Sequence, residues 1–235
     1  MAAFPLMLPG TSRPPKLVVF DLDHTLIACD ATILWTEFLY EKKIVTDPIW
    51  RQYDRDMVKS YAKGVLDIRD FCRKHAGAFR SIPEEKLHAL AQEFAKKKIA
   101  PLIFPDGKKW AKNALQANIP ACVLSASAAF IVKPIAKLFG LTDAMGIELA
   151  FKDGFCTGEI VGIPTFQEGK VERLSQRLAE AGIGFEDVLF FTDSRNDLPL
   201  AERAGYTVCV NPDAVLESAA RKNGWKVAEW KLSLR

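Results

Sequence analysis

The sequence predicts an α/β fold: a mostly parallel sheet with helices on both faces, and an all-helical segment inserted near its start. Three observations lead there. Short β-branched or apolar runs recur at residues 16–20, 121–124, 188–192 and 206–210, each of a length and character suited to a buried strand. Stretches with helical apolar spacing separate them, and that alternation builds parallel sheets. Between about residues 32 and 100, by contrast, no strand signal interrupts the helical pattern.

Residues 16–20 (Lys-Leu-Val-Val-Phe) form the first strand and end abruptly in Asp21-Leu22-Asp23-His24-Thr25-Leu26. From Thr32 the apolar and polar positions change to helical spacing, at Ile33, Leu34 and Phe38 and again at Leu87, Leu90, Ala91 and Phe94. Ser81 is placed to cap the second of these helices, with Pro83 in its first turn. Trp35, Phe38 and Phe71 are expected in the core of the insert. Pro101 and Pro105 mark its exit.

Helix is then expected over 110–117, strand over 121–124, and helix over 130–139 with Gly140 just past its end. Residues 148–151 and 155–160, joined by Lys152-Asp153-Gly154, predict a hairpin. Helix over 169–181, strand 188–192, helix 198–204, strand 206–210 and helix 214–222 complete the alternation. The division that follows is a flexible tail at 1–15, a core of 16–30 and 105–235, and a helical insert at 31–104.

The bulk composition excludes several function classes. Hydrophobic residues make up 49% and charged residues 26%, and the net charge is +3 without a basic block, which speaks against a nucleic-acid partner. No stretch approaches the roughly 20 apolar residues that cross a bilayer, so no membrane association is expected. Cys29, Cys72, Cys122, Cys156 and Cys209 are scattered and form no C-x-x-C pair, and His24, His75 and His88 do not cluster with them. That pattern indicates free thiols in a reducing, cytoplasmic setting, with no zinc site. A monomer or homodimer is expected.

In parallel sheets, ligands bind at the carboxyl ends of strands. Three predicted strands run into small or acidic residues there: Asp21 and Asp23, then Ser125, then Asp193. Several converging carboxylates repel one another unless a cation neutralises them. An all-oxygen set suits a hard ion, with Mg²⁺ the best fit. A carboxylate beside such an ion can attack phosphorus, and a second carboxyl can protonate the leaving oxygen. Ser125 and Lys170 supply a hydroxyl and an ammonium for phosphoryl oxygens.

The segment from Phe20 through Asp21-Leu22-Asp23-His24-Thr25-Leu26 resembles the D-x-D-x-T-L motif of the haloacid dehalogenase-like (HAD) phosphatases. Val123-Leu124-Ser125, Lys170 in Glu-Gly-Lys-Val, and Thr192-Asp193-Ser194-Arg195-Asn196-Asp197 are similar to their later motifs, in order, over nearly the whole chain. The insert falls where subfamily IB, the phosphoserine-phosphatase-like branch, carries its α-helical cap. The resemblance therefore implies a Rossmann-like core with an inserted cap domain. It implies hydrolysis of a small-molecule phosphate monoester through an aspartyl-phosphate intermediate. By the same resemblance, Asp21 is nucleophile and Mg²⁺ ligand. Asp23 is general acid/base and a ligand through its carbonyl, and Asp193 is the third ligand. Ser125, Lys170 and Asn196 contact phosphate; Asp197 and Thr25 support the site.

Asp30 lies nine residues after Asp21, where phosphoserine phosphatases carry a glutamate that meets the substrate ammonium, and it equally suits a helix cap. A carboxylate there points to an amine-bearing ester, phosphoserine-like or histidinol phosphate. Arg69 or Arg73 is a candidate for a substrate carboxylate, and the spacing selects neither. Ser125-Ala126-Ser127 departs from the glycines that usually follow the serine in phosphoserine phosphatases. A phosphotransferase using the same aspartyl phosphate, and a non-catalytic phosphate-binding protein, are the rival readings.

Overall fold

The computed structural model describes residues 13–232. The expected tail lies, for residues 1–12, outside the described residues. Arg13 and Lys16 both pair with the buried Asp187, at 3.1 and 2.9 Å.

Strand β1, Leu17–Phe20, is buried throughout. Helices α1 (Ala31–Glu41), α2 (Ile49–Lys63), α3 (Ile68–His75) and α4 (Glu84–Phe94) follow. Ser81 does not cap α4. The N-cap is Pro83, which has no side-chain donor or acceptor to offer; the Glu84 amide instead donates to the Gly154 carbonyl at 2.8 Å. A distant hairpin turn thus satisfies an orphan donor of the first turn.

Helix α5, Pro105–Gln116, starts a turn earlier than its apolar spacing suggests, because Pro105 sits at the first helical position where its missing N–H costs nothing. Strand β2 runs Ala121–Ala128, twice the expected length. Helix α6 (Ala129–Ala136) leads through a 3₁₀ turn to Gly140 at φ +77°, the left-handed stop expected there. Strand β3, Asp143–Ile147, carries no clear alternation and is recognised only by pairing with β2.

Strands β4 (Leu149–Lys152) and β5 (Phe155–Ile160) form the antiparallel hairpin. Asp153 and Gly154, both at positive φ, provide the tight turn that matches strand twist. Helix α7 is Glu168–Ala181, β6 Val188–Thr192, α8 Leu198–Ala201, β7 Tyr206–Val210, α9 Ala214–Asn223 and β8 Lys226–Ala228.

Six strands pair in the order β3-β2-β1-β6-β7-β8, all parallel. Alternate residues feed opposite faces. Val18 and Phe20 join a cluster with α1, α4 and α6, whereas Leu17 and Val19 pack with Val171, Leu174 and Leu178 of α7. The chain leaves β1 toward β2 and returns on its other side as β6. Strand order therefore reverses at β1, and a crevice opens at its carboxyl end.

Trp35, Phe38, Phe94 and Phe130 meet with ring centroids 5.4–5.7 Å apart. Aromatic packing of this kind binds α1 and α4 to α6 beside the crevice. Phe71, expected with them, is only half-buried and faces the cleft instead. Among the described residues, no helix is long and apolar enough to cross a membrane.

Candidate active site

The turn after β1 is wound tightly: the amides of Thr25, Leu26 and Ile27 all point to the Leu22 carbonyl. His24 takes φ +55° within it. The winding leaves Asp21 and Asp23 on the crevice side, and the Asp21 amide donates to Phe191 O at 2.9 Å, tying the turn to β6.

The structure brings Lys170 to Asp21. Its Nζ donates to Asp21 Oδ1 at 2.6 Å and to Asp197 Oδ2 at 2.7 Å, with the lysine only 1% exposed. Asp197 Oδ1 is equally near, at 2.7 Å, without hydrogen-bond geometry. Thr192 Oγ1 also donates to Asp197, at 2.8 Å. Gly169 lets α7 start here: a Cβ on it would meet Pro164 O at 1.9 Å, so no other residue fits directly before Lys170.

Ser125 lies inside β2, at an irregularity in the β2–β3 register rather than at the strand's end. Its hydroxyl donates to Asp23 Oδ2 at 3.2 Å, and Ser127 Oγ donates to the same oxygen at 2.8 Å. The Ala31 amide holds Asp23 Oδ1 at 2.6 Å. Ser127 was not singled out by motif reasoning; its i+2 spacing from Ser125 along a strand, which places both hydroxyls on one face, is the signal that could have found it. Thr25 Oγ1 donates across the crevice to Asp193 Oδ1 at 3.3 Å.

Burial and mutual repulsion govern the ionisation of these groups. Burial pushes the Asp21 carboxyl up to about 7, with Asp197 and Asp23 adding to the rise and Lys170 opposing it. Asp23 is pushed up to about 6 by burial and by Asp30, against hydrogen bonds from Ala31 and Ser127. Asp193 is held well above the usual carboxylate range by burial, Asp21 and Asp197. Burial alone would lower the Lys170 ammonium, but Asp197 and Asp21 hold it above its ordinary value.

Four carboxylates thus share one ammonium, an excess of negative charge that a divalent cation would neutralise. The donors are all oxygen, as Mg²⁺ requires. Among the described residues, no three His, Cys, Asp or Glu side chains converge into a ready metal cage.

A cleft of about 190 Å³ opens from Asp21, Asp23 and Asp193 between the core and α1–α3. Ile33, Met57, Leu66, Ile68 and Phe71 form its apolar wall, and Asp30 lies in it. Asp30 caps α1 through the Ile33 amide at 3.0 Å, and burial raises its carboxyl; the capping and cleft-lining roles coexist. Among the described residues, no lysine or arginine lines this cleft.

The structure does not bring Arg69 there. It follows Ile68 in the first turn of α3, and one step along a helix turns it out to solvent while Ile68 faces inward. Asn196 is close to the cluster but its amide is engaged elsewhere: Nδ2 donates to Tyr61 O at 3.0 Å, and Oδ1 accepts from Gln167 Nε2 at 3.1 Å. Gln167 belongs to the Phe166-Gln-Glu-Gly-Lys170 run that resembles the subfamily IB pattern, whereas Tyr61 carries no motif signal and only its position reveals it.

Residues 18–202 match the family model described as haloacid dehalogenase-like hydrolase. The chain is 35% identical over 220 residues to a histidinol-phosphatase of Neisseria meningitidis serogroup C, covering 92% of this chain and 99% of that protein. Among solved structures, a protein of unknown function from Bordetella pertussis Tohama I superposes with a TM-score of 0.81 at 32% identity, covering 90% and 96% of the two chains. A substrate-bound phosphoserine phosphatase shares the fold, with a TM-score of 0.68 at 22% identity and coverage of 95% and 97%.

Proposed function

The chain belongs to the haloacid dehalogenase-like hydrolases, and from that premise we propose that it is a Mg²⁺-dependent phosphatase of a small, amine-bearing phosphate monoester. The observation that carries this reading is the buried Lys170 ammonium 2.6 Å from Asp21, amid Asp23, Asp193 and Asp197. Such an arrangement accepts a phosphoryl group beside an anionic nucleophile, which neither a structural ion pair nor a bare acidic patch requires.

Asp21 Oδ attacks phosphorus, forming the acyl phosphate as the ester P–O bond breaks. Asp23 gives its proton to the departing alcohol oxygen; held near 6, it is still partly protonated close to neutrality. The Asp23 carboxylate then takes a proton from water, whose oxygen attacks phosphorus, and the Asp21–phosphorus bond breaks to release inorganic phosphate. Lys170 and Ser125 hold phosphoryl oxygens throughout. The Asp21 and Asp193 side chains and the Asp23 carbonyl would hold Mg²⁺. When bound, the ion would neutralise the cluster and draw charge from the phosphoryl oxygens. Thr25 steadies Asp193, and Asp197 steadies Lys170.

In this reading residues 31–104 act as the cap over a core of 16–30 and 105–235, and substrate choice lies in the cleft wall. Asp30 offers a counter-ion for an ammonium, while among the described residues no lysine or arginine lines the cleft to pair with a substrate carboxylate. That balance favours an amino-alcohol phosphate, of which histidinol phosphate is one, over phosphoserine. The five unpaired cysteines fit work in the cytoplasm.

The test is phosphate release from histidinol phosphate, phosphoserine, phosphoethanolamine and an aryl phosphate, with Mg²⁺ or chelator and with Asp21→Asn as control. Metal-dependent release that disappears in Asp21→Asn supports the mechanism. Release that survives in that variant removes Asp21 as nucleophile.

A further inference from the structure

Helix α2 ends at a junction with the segment that leads into α7 and Lys170 and with the segment after β6 that carries Asp193. Gln167, three residues before Lys170, directs Nε2 to Gly64 O at 3.1 Å and to Asn196 Oδ1 at 3.1 Å. Asn196, between Asp193 and Asp197, passes the connection on through Nδ2 to Tyr61 O at 3.0 Å. Both accepting carbonyls belong to the C-terminal turn of α2, where backbone oxygens carry partial negative charge; Tyr61 O also accepts from the Gly64 amide at 2.9 Å.

Two further features single this junction out. Gln167 takes φ +49° and ψ −124°, a region that a residue with a side chain enters only when its surroundings demand it. Tyr61, one turn from the end of α2, lays its ring 5.8 Å from Phe166 and lines the cleft. It shares that lining with Asp21 and Asp193, and burial, with Asp197, Asp21 and Asp193 adding to it, raises the phenol well above its ordinary value. Helix α2 therefore delivers the Tyr61 side chain to the edge of the carboxylate site.

The geometry points to Gln167 and Asn196 as positioning residues that grip the end of α2 and so set the Tyr61 phenol against the carboxylate cluster. The strained backbone at Gln167 aims one amide at both neighbours at once. The grip couples two parts of the molecule: wherever the loops hold Lys170 and Asp193 in place, α2 is drawn over the cleft. Nothing else in the chain's chemistry requires a glutamine at that position, since Gln167 supplies no cap to α7.

Gln167→Gly is the informative variant, because it deletes the amide while relieving the positive φ. Amide hydrogen exchange of the substrate-free protein is measured first and does not depend on the phosphatase reading. Exchange in the last turn of α2 and at Val65 is expected to quicken by tenfold or more, on the order of a lost hydrogen-bonded contact, with the melting temperature unchanged or higher. Unchanged exchange there overturns the grip. The second arm rests on the phosphatase reading: with whichever ester the wild type cleaves, KM is expected to rise more than kcat falls in Gln167→Gly. Tyr61→Phe, which keeps the ring on Phe166, is expected to lower kcat. Faster exchange with wild-type kcat and KM would sink the positioning role while sparing the contact. A wild type that cleaves no ester at all would count against the phosphatase reading alone, and the exchange result would still decide the grip.

Discussion

Lys170 Nζ lies 2.6 Å from Asp21 Oδ1, and the lysine is sealed from solvent. A buried ammonium is costly unless carboxylates surround it, and buried carboxylates are costly without it. Each group is therefore tolerable only because the other is present, with Asp21 lining the cleft and Lys170 buried against it.

Lys170→Met keeps the volume and removes the charge. Asp21 and Asp197 are then left without their cation, and unfolding free energy is expected to fall by about 3–5 kcal/mol. Denaturant melts with and without Mg²⁺ check this, with the ion recovering part of the loss by binding only the folded chain. A variant as stable as wild type would mean that the carboxylates are not ionised in the metal-free protein.

Asp30→Asn separates capping from recognition. Asparagine caps α1 as well as aspartate does, so the fold is kept while the cleft loses its counter-ion. For an amine-bearing ester kcat/KM is expected to drop by about 10- to 100-fold, the range of a charge-assisted contact of roughly 1.5–3 kcal/mol. For a neutral aryl phosphate it should change little. Equal losses on both esters would assign Asp30 to α1 alone.

Ser127→Ala removes the closer of the two hydroxyl donors to Asp23 Oδ2. That hydrogen bond favours the carboxylate, so its loss raises the Asp23 pKa from about 6. The corresponding limb of the pH–rate profile is expected to move upward by up to about one pH unit, the equivalent of one net hydrogen bond. An unmoved profile would show that Ser127 does not tune the acid.

A second polar cluster makes a pH prediction away from the proposed metal ligands. Thr36 of α1 hydrogen bonds His75 Nε2 of α3 at 3.0 Å, and Asp54 of α2 stands 3.5 Å from that nitrogen. Both Asp54 oxygens are buried without a hydrogen-bond partner. Burial raises Asp54 to about 7 and lowers His75 to about 4, so near pH 6 the pair is neutral on both sides. A carboxyl whose folded pKa is raised destabilises the fold as pH climbs from its unfolded value toward 7. His75, with its folded pKa depressed, destabilises it as pH falls below about 6.5. Asp54→Asn is accordingly expected to be near neutral at about pH 4 and increasingly stabilising from there to pH 8, by about 1–3 kcal/mol. A stability difference that does not vary with pH would show that Asp54 keeps an ordinary pKa.

Much of this molecule was legible in its sequence because the informative features are local. A five-residue apolar run followed by Asp-x-Asp, or Gly140 after a helical stretch, announces itself within a few positions. The motif order placed Asp21, Asp23, Ser125, Lys170 and Asp193 on one edge of a parallel sheet, and the structure gathers them there. The short strands β3 and β8 were not legible, since they are defined by neighbours in the sheet more than by their own pattern.

Only tertiary structure decided which side chains occupy the cleft and which groups hold one another. Ile68 and Arg69 are adjacent in sequence, yet one helical step puts one in the cleft and the other in water. Asn196 reads as a phosphate contact in its motif, but the folded chain joins it to Tyr61 and Gln167, more than a hundred and about thirty residues away respectively. Residue types and strand order set the kind of chemistry available here. Orientation about helix axes and hydrogen bonds between remote segments, which no local pattern encodes, set what the cleft can recognise.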